Sequence, residues 1–505
     1  MMNLKKRTMV ACALLACCCV TVNAQEKMNV VFILADDLGW ADTTLYGHTQ
    51  FYQTPNIDRL AKRGMTFSRA YANSAICSPT RASVLTGRTP ARTGFVSASG
   101  HAKEVRLKSS VEESAEPRKK TLGVSSVTRL DTKLPTLGKL FKAKGYQTAH
   151  FGKWHLGHDP YVPLNHGFDV SIPLAAGSSP AGGYLAPWKY KEFKANKPKE
   201  HIEDRMAQEA TQWLDSLQND RPFFMNYWAF SVHTPLQAKE ELIEMYSSKV
   251  DPNDEQNYPV YAAMVHSLDE AVGKLLDRVD AAGIADNTII VFYSDNGGLM
   301  YKRPATSNRP LRGGKGNVYE GGIRVPCVVV WPGVTKPGSR SDVPIQSSDF
   351  YPTFAKQLGF DVPADYVVDG VDITPALKGG KLGRDAIFTY FPNAPEKVPD
   401  WVPYSLSVHA GDWKLIRMFH EGEDGKHAYR LYNLAEDLGE TTDLSSQYPE
   451  RVASLDKQIE EYLTETDAVV PLPNPAFDPA QYNAELIGLS LRYDREKINE
   501  IKNSK

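Results

Sequence analysis

Two apolar runs far apart in the chain close on the same kind of polar group. "MNVVFILADD" ends in Asp36 and Asp37, and "NTIIVFYSDNGG" carries Asp295 and Asn296 at its end. Hard oxygen donors of this kind suit calcium, whereas histidine or thiolate would favour zinc. One double aspartate after a strand is ordinarily a turn or a helix cap; a second acidic pair at the end of a second core-type strand points to a divalent metal. Three carboxylates still leave negative charge on such an ion, so an anionic substrate needs cations from elsewhere. "HFGKWHLGH" offers Lys153 and His155, two residues apart and so on one face of an extended segment. "RGGKGNVYEGG" presents Lys315 on a glycine-rich loop whose backbone can approach a ligand closely. With Arg81, these cations tip the local balance to positive, enough to attract an anionic ester and to stabilise charge developing on a leaving oxygen. Each lysine alone reads as solvated surface and each histidine as structural; only their joint occurrence carries the inference.

An anion-attracting helix end is suggested by "ICSPTRASVLTGR". Ser78 is a good N-cap, Pro79 fits the first helical position and Gly87 a C-terminal stop, so Cys77 is expected immediately before a short helix. That end of a helix attracts anions through its free N–H groups and dipole. Arg81, one turn in, adds a permanent charge.

These groups need a scaffold that brings strand ends together. "MNVVFILADD", "NTIIVFYSDNGG" and "RPFFMNYWAFSVHTP" read as fully buried parallel strands. Helical stretches such as "PNIDRLAKRG", "RMAQEATQWLDSLQ" and "YAAMVHSLDEAVGKLLDRVDAAG" alternate with them. The pattern predicts an α/β fold: a large mixed, mostly parallel sheet covered by helices on both faces, with ligands beyond the carboxyl ends of the strands. Past about residue 375 the texture changes to short alternating segments followed by "PERVASLDKQIEEYLTE", which predicts a smaller antiparallel sheet with a helix packed on it. The expected division is a catalytic domain over 25–375 and a smaller α+β subdomain over 376–505. Residues 97–133 are polar and poor in large apolar side chains, as a surface excursion near the site mouth or a disordered loop would be.

The chain has 505 residues, 42% of them hydrophobic, and a net charge of −2, which gives no reason to expect a nucleic-acid partner. Lys5, Lys6 and Arg7 precede "TMVACALLACCCVTV" and a small-residue site after Ala24, the pattern of a secretory signal over residues 1–24 and not of a transmembrane segment. The expected location is the bacterial periplasm; a lipoprotein anchor at Cys17 is the weaker reading, because the apolar run continues past it. Of six cysteines only Cys77 and Cys327 lie outside that leader, so there is no disulfide framework. Cys327, in "VPCVVVWP", reads as a buried strand residue, with a Cys77–Cys327 bridge as the rival reading.

The motifs together resemble the type I sulfatases of the alkaline phosphatase-like superfamily. "CSPTRASVLTGR" is similar to the signature of that family, and "ADD", "TPNIDRLA", "GKWHLG", "HTP", "SDNGG", "GGKGNVYEGGIRVP" and "LYNLAEDLGETTDL" follow the family's order. The resemblance implies that a separate maturase oxidises Cys77 to Cα-formylglycine, whose hydrate is the nucleophile: one hydroxyl attacks sulfur, and loss of the other's proton expels sulfate by C–O cleavage. It makes Asp36, Asp37, Asp295 and Asn296 the Ca2+ ligands, with an oxygen of modified residue 77 (Cys77) or of the sulfate completing the shell. It gives Arg81 the role of holding the diol ionised, His155 that of taking the second proton, and Lys153 and Lys315 that of binding sulfate oxygens. His233, alone or with Lys315, protonates the leaving alcohol.

The implied substrate is a sulfated carbohydrate, best matched by galactose or N-acetylgalactosamine esters at 4-O or 6-O. Trp188, Tyr190, Tyr301, Asn165, His166, Asp169, Arg303, Arg309 and Arg312 are weak candidates for sugar contacts. A phosphatase of the same fold would bring zinc, an Asp-His pair and a Ser or Thr nucleophile, none of which matches Asp295-Asn296 or Cys77. A formylglycine-dependent phosphonate or phosphodiester hydrolase and an unmatured sulfated-glycan-binding protein compete with the sulfatase reading.

Overall fold

The computed structural model describes residues 27–503 except 176, 219–220, 301–304, 397 and 490–493, so the leader, Cys17, Tyr301 and Arg303 lie outside the described residues. Its centre is β1 (Asn29–Ala35), every residue of which is buried. β1 pairs in parallel with β5 (Phe223–Trp228) on one side and β6 (Thr288–Ser294) on the other. A strand flanked on both edges and covered on both faces has no polar side to show, which is why its sequence runs apolar without alternation. The period of two is nevertheless at work. Val31 and Ile33 enter a core with helices α4 (Ile202–Asp215) and α6 (Pro259–Ala281), while Val30, Phe32 and Leu34 enter a second core with α2 (Cys77–Thr86), α3 (Leu137–Ala143) and α7 (Phe350–Gln357).

The nine-stranded sheet adds β2 (Met65–Tyr71), β3 (Gln147–Gly152), β4 (Val170–Ile172), β7 (Arg324–Val330), β8 (Ser339–Ser341) and β9 (Ile345–Gln346). Its order is β8-β2-β7-β6-β1-β5-β3-β4, with β9 also on β2. All pairings are parallel except those of β7 with β2 and β6. The mixed, mostly parallel sheet expected from the alternating elements is therefore present, and β1, β6, β5 and β3 point their carboxyl ends the same way. Cys327 lies in β7 and in the second core; it and Cys77 are both free, which corrects the rival reading of a bridge between them.

The C-terminal part forms an antiparallel sheet in sequence order, β10 (Ile387–Phe391), β11 (Ser405–Ala410), β12 (Trp413–Met418) and β13 (Ala428–Asn433). Leu455, Ile459 and Leu463 of α8 (Pro449–Glu465) pack on Leu406, Val408 and Leu415 of one face. Ile416 and Met418 on the other face pack against Ile76, Val318 and Tyr319, beside the expected catalytic loops. The 97–133 segment is an ordered surface excursion: Thr121–Leu122 pairs with Leu472–Pro473, and Arg118 forms a fork on Glu396 at 3.0 and 2.9 Å.

Candidate active site

The parallel register of β1 and β6 sets Ala35 beside Ser294, so the residues that follow each strand meet: Asp37 N–H donates to Asp295 Oδ1 at 3.1 Å, and Asn296 Nδ2 to Asp37 Oδ1 at 2.9 Å. The loop after β5 joins them, with Asp36 N–H donating to the Ser231 carbonyl at 2.9 Å. Glu203 of α4, itself buried, accepts the N–H groups of Phe230 and Ser231 at 2.9 and 2.7 Å and so holds the loop that carries His233.

Each carboxylate has a cation. Lys153 Nζ donates to Asp36 Oδ2 at 2.6 Å, and Lys315 Nζ to Asp37 Oδ2 at 2.7 Å. Arg81 Nε donates to Asp295 Oδ2 at 2.8 Å, and its guanidinium lies 3.5 Å from Asp36 and over the Trp228 ring. Charges this deeply buried need partners. Burial pushes Asp36 well above the usual carboxylate range, reinforced by Asp295 and Asp37 and opposed by Lys153 and Arg81. Asp37 is buried as well, yet Lys315, His233 and Lys153 hold it well below that range.

Cys77 is the first residue of α2, is 1% exposed, and has its Sγ 3.9 Å from Asp37 Oδ1. Burial pushes its thiol up to about 12 against the pull of Lys153 and Lys315, so the encoded side chain is a neutral thiol and not a thiolate. His233 Nδ1 lies 2.7 Å from the Thr234 carbonyl, which only accepts; that nitrogen carries the hydrogen, which leaves Nε2, 3.8 Å from Asp37 Oδ2, facing the acidic cluster. Burial first and Lys315 second hold His233 well below its ordinary value.

The donor set fits a hard divalent cation. Asp36, Asp37, Cys77 and Asp295 each offer a ligand atom, all within 4.8 Å of one another. Two buried oxygens, Asp36 Oδ1 and Asn296 Oδ1, accept no hydrogen bond. Orphaned acceptors among repelling carboxylates are what an ion with oxygen preference would satisfy.

The family model described as "Sulfatase" matches residues 28–360, which include every residue of this constellation. The chain belongs to the sulfatase family. This sulfatase also matches a model described as "N-sulphoglucosamine sulphohydrolase, C-terminal" over residues 314–468. Its relatives include the N-acetylgalactosamine-6-sulfatase of Sus scrofa, 33% identical over 73% of this chain and 69% of that one. A sulfatase of Formosa agariphila is 31% identical over 85% of this chain and 86% of its own. Among solved structures, Ps i-CgsB in complex with k-i-k-neocarrahexaose is 28% identical with a TM-score of 0.70, covering 87% of this chain and 93% of that one. The protein is a sulfuric ester hydrolase of the type I class with the alkaline phosphatase-like fold.

In this sulfatase the sequence-predicted residues Asp36, Asp37, Cys77, Arg81, Lys153, Asp295, Asn296, His233 and Lys315 come together, but two local expectations fail. Ser78 is not the N-cap. The helix starts at Cys77 with Ile76 as its cap, and the Ser78 hydroxyl instead donates to the His155 carbonyl at 2.7 Å; Gly87, at φ 68°, does end it. Nor are Lys153 and His155 on an extended segment, because β3 ends at Gly152 and His155 takes a φ of 55°. They are oriented separately, Lys153 to Asp36 and His155 to His101. Local sequence signals neither turn, since both are imposed by contacts between α2 and the segment after β3.

The sugar-contact candidates mostly dissolve into structure. Trp188, Tyr190 and His166 are buried, Asp169 pairs with Lys142 at 2.6 Å, and Asn165 bonds the Pro160 carbonyl at 2.6 Å. Arg309 and Arg312 line a groove of about 1440 Å³ with Met300 and Gly313, beside the Lys315 loop, and pair there with Glu255 at 2.9 Å and Asp400 at 3.0 Å. Sequence reasoning missed Glu203, whose carboxylate serves two backbone N–H groups, and His101; nothing in their local sequence marks either.

Proposed function

We propose that this protein removes O-sulfate esters from carbohydrates outside the cytoplasm, with sulfated galactose or N-acetylgalactosamine, at 4-O or 6-O, as the substrate class. The observation that carries the reading is the convergence of Arg81, Lys153, Lys315 and His233 with three aspartates around residue 77 at the positive end of α2. The sugar class is supported by the relative named as an N-acetylgalactosamine-6-sulfatase and by the neighbour bound to a neocarrahexaose. Export to the periplasm through residues 1–24, and a working division into a catalytic part over 25–375 and a C-terminal part over 376–505, belong to the same reading.

Asp36, Asp37, Asp295, Asn296 and residue 77 would hold Ca2+, which supplies a fixed positive charge for sulfate oxygens. Oxidised by a maturase to Cα-formylglycine, residue 77 supplies a geminal diol, one hydroxyl of which attacks sulfur while deprotonation of the other releases sulfate. Arg81, fixed by Asp295, favours the ionised oxygen at position 77. Lys153 and Lys315 are set to turn from carboxylate to sulfate oxygens. His233 Nε2 gives a proton to the leaving alcohol, and the negative charge an arriving sulfate brings favours its protonated form. His155 removes the proton of the second hydroxyl.

The test is a panel of defined sulfated monosaccharides, assayed alongside phosphate and phosphonate esters, on protein whose residue-77 peptide has been weighed. A loss of about 18 Da at Cys77 with release of sulfate from galactose or N-acetylgalactosamine esters is expected. Unmodified Cys77 in protein that captures these sugars without turnover would replace the reading with a binding function, and faster phosphonate turnover would replace the substrate class.

A further inference from the structure

We infer that His101, in the 97–133 excursion, is the positioning residue of His155: it accepts the hydrogen on His155 Nε2 and thereby leaves Nδ1 as the base. This rests on the role proposed for His155 above. His155 is 1% exposed and its two ring nitrogens are in different situations. Nε2 lies 2.8 Å from His101 Nδ1, the ring centroids being 5.1 Å apart and the planes only 25° from each other, so the rings meet edge to edge, while Nδ1 is buried and has no hydrogen-bond partner. One proton occupies the space between the rings. If it sits on His101, the remaining hydrogen of a neutral His155 is on Nδ1, a buried N–H without an acceptor, the less favourable of the two arrangements. If it sits on His155 Nε2, Nδ1 presents a lone pair, which is what proton removal requires.

The excursion is built to hold His101 there. Arg129, itself buried, donates to the carbonyls on either side of it, Gly100 at 3.4 Å and Ala102 at 2.6 Å. Gly100 is packed so closely that a Cβ would stand 1.8 Å from the His155 carbonyl oxygen. The surroundings disfavour a charged ring on either residue: burial, Lys153, Arg81 and His233 act on His155, and burial, Lys153, His158 and Arg129 act on His101. In the step itself the O–H bond of the free hydroxyl at residue 77 breaks as an Nδ1–H bond forms, its electron pair closes a C=O bond, the C–O bond to the sulfate breaks with sulfate leaving, and the imidazolium is stabilised through its Nε2–H···Nδ1 contact. Nδ1 returns the proton to solvent once water has replaced sulfate.

Two measurements test this. The first is ring 15N NMR of the unmatured Cys77 protein, with the His155 signals identified by their loss in His155→Asn; it needs neither maturation nor substrate. The expected result is a hydrogen on Nε2 of His155, and loss of that preference in His101→Ala. A hydrogen on Nδ1 in the unsubstituted protein overturns the inference. The second is kinetics of matured protein on N-acetylgalactosamine 6-sulfate, galactose 6-sulfate and 4-nitrophenyl sulfate. His101→Ala should lower kcat by about tenfold to a hundredfold with KM changed less than twofold and an unchanged melting temperature. His101→Asn, whose amide oxygen can accept from Nε2–H, should recover most of the loss. Unchanged kcat in His101→Ala, or equal losses in both variants with KM raised, overturns it. Absence of turnover in matured, unsubstituted protein would sink the proposed function instead, with the NMR result still deciding the role of His101.

Discussion

At the scale of single residues, the site is a set of buried charges that satisfy one another only incompletely. Asp36, Asp37 and Asp295 stand within ligand distance of one another, held by Lys153, Lys315 and Arg81. A cation that binds the folded site alone should therefore stabilise it, by about 2.7 kcal/mol at a hundred times its dissociation constant. We expect Ca2+ to raise the melting temperature and chelation to lower it, and Asp295→Ala to abolish that calcium-dependent shift together with activity; a shift that survives the substitution would move the metal elsewhere. Cys77→Ala should lose turnover with melting changed little, because it removes one buried sulfur at a site and no core contact of consequence. Wild-type rates in that variant would show that residue 77 is not the nucleophile position.

At the scale of elements, the turns that carry the candidate site residues are fitted together by backbone contact. The turn after β6 lies on the short helix that follows the Lys315 loop, where Gly297 N–H donates to the Gly322 carbonyl at 2.9 Å. A Cβ on Gly297 would stand 1.8 Å from the Gly321 carbonyl oxygen, which backbone cannot readily yield. Gly297→Ala should destabilise by about 1–3 kcal/mol and lower kcat by separating Asp295 and Asn296 from Lys315, as read by chemical denaturation and by initial rates. A neutral result would mean that the two turns move independently. This close packing, more than any propensity, is why the "SDNGG" and "EGG" segments are glycine-rich.

At the scale of the whole molecule, the C-terminal sheet is locked to the loops of the candidate site by a buried charge cluster. Glu320, which opens the helix after the Lys315 loop, accepts from His409 at 2.7 Å, Lys414 at 3.1 Å and Tyr71 at 2.9 Å, and Glu440 takes Lys414 at 2.7 Å. Despite burial, Lys414 and His409 hold Glu320 well below the usual range, so its stabilisation is complete above the ordinary carboxylate pKa and is lost as pH falls through the depressed one. Burial lowers His409 to about 4, so its contribution is likewise present above about 6.5 and lost on the way down to about 4. Burial raises Glu440 to about 7, which works the opposite way: its protonation favours the folded state as pH falls from about 7. Within this cluster the His409 and Glu440 contributions oppose each other between about pH 6.5 and 4.5, and that of Glu320 is lost below. Glu440→Gln should remove the opposing contribution and steepen the loss of stability relative to wild type as pH falls through that range, measurable as urea midpoints against pH; an unchanged profile in the variant would remove Glu440 from the account. Among the described residues no helix is long and apolar enough to cross a membrane.

The amino-acid sequence alone determined the architecture and most of the site. Buried parallel strands leave no polar face, so β1, β5 and β6 are legible as apolar runs ending in polar residues, and the alternation of the C-terminal strands is legible for the complementary reason. The resemblance in ordered motifs then joined Cys77, Arg81, Lys153, His233 and Lys315 to the acidic strand ends. Tertiary structure decided what no local pattern encodes: the start of α2 at Cys77, the φ of His155, the carboxylate of Glu203 under the His233 loop, and the arrival of His101 from a polar excursion. Each of these depends on contacts between segments distant in sequence, where a neighbour's carbonyl or ring nitrogen overrides the local preference, and sequence periodicity carries no record of such partners.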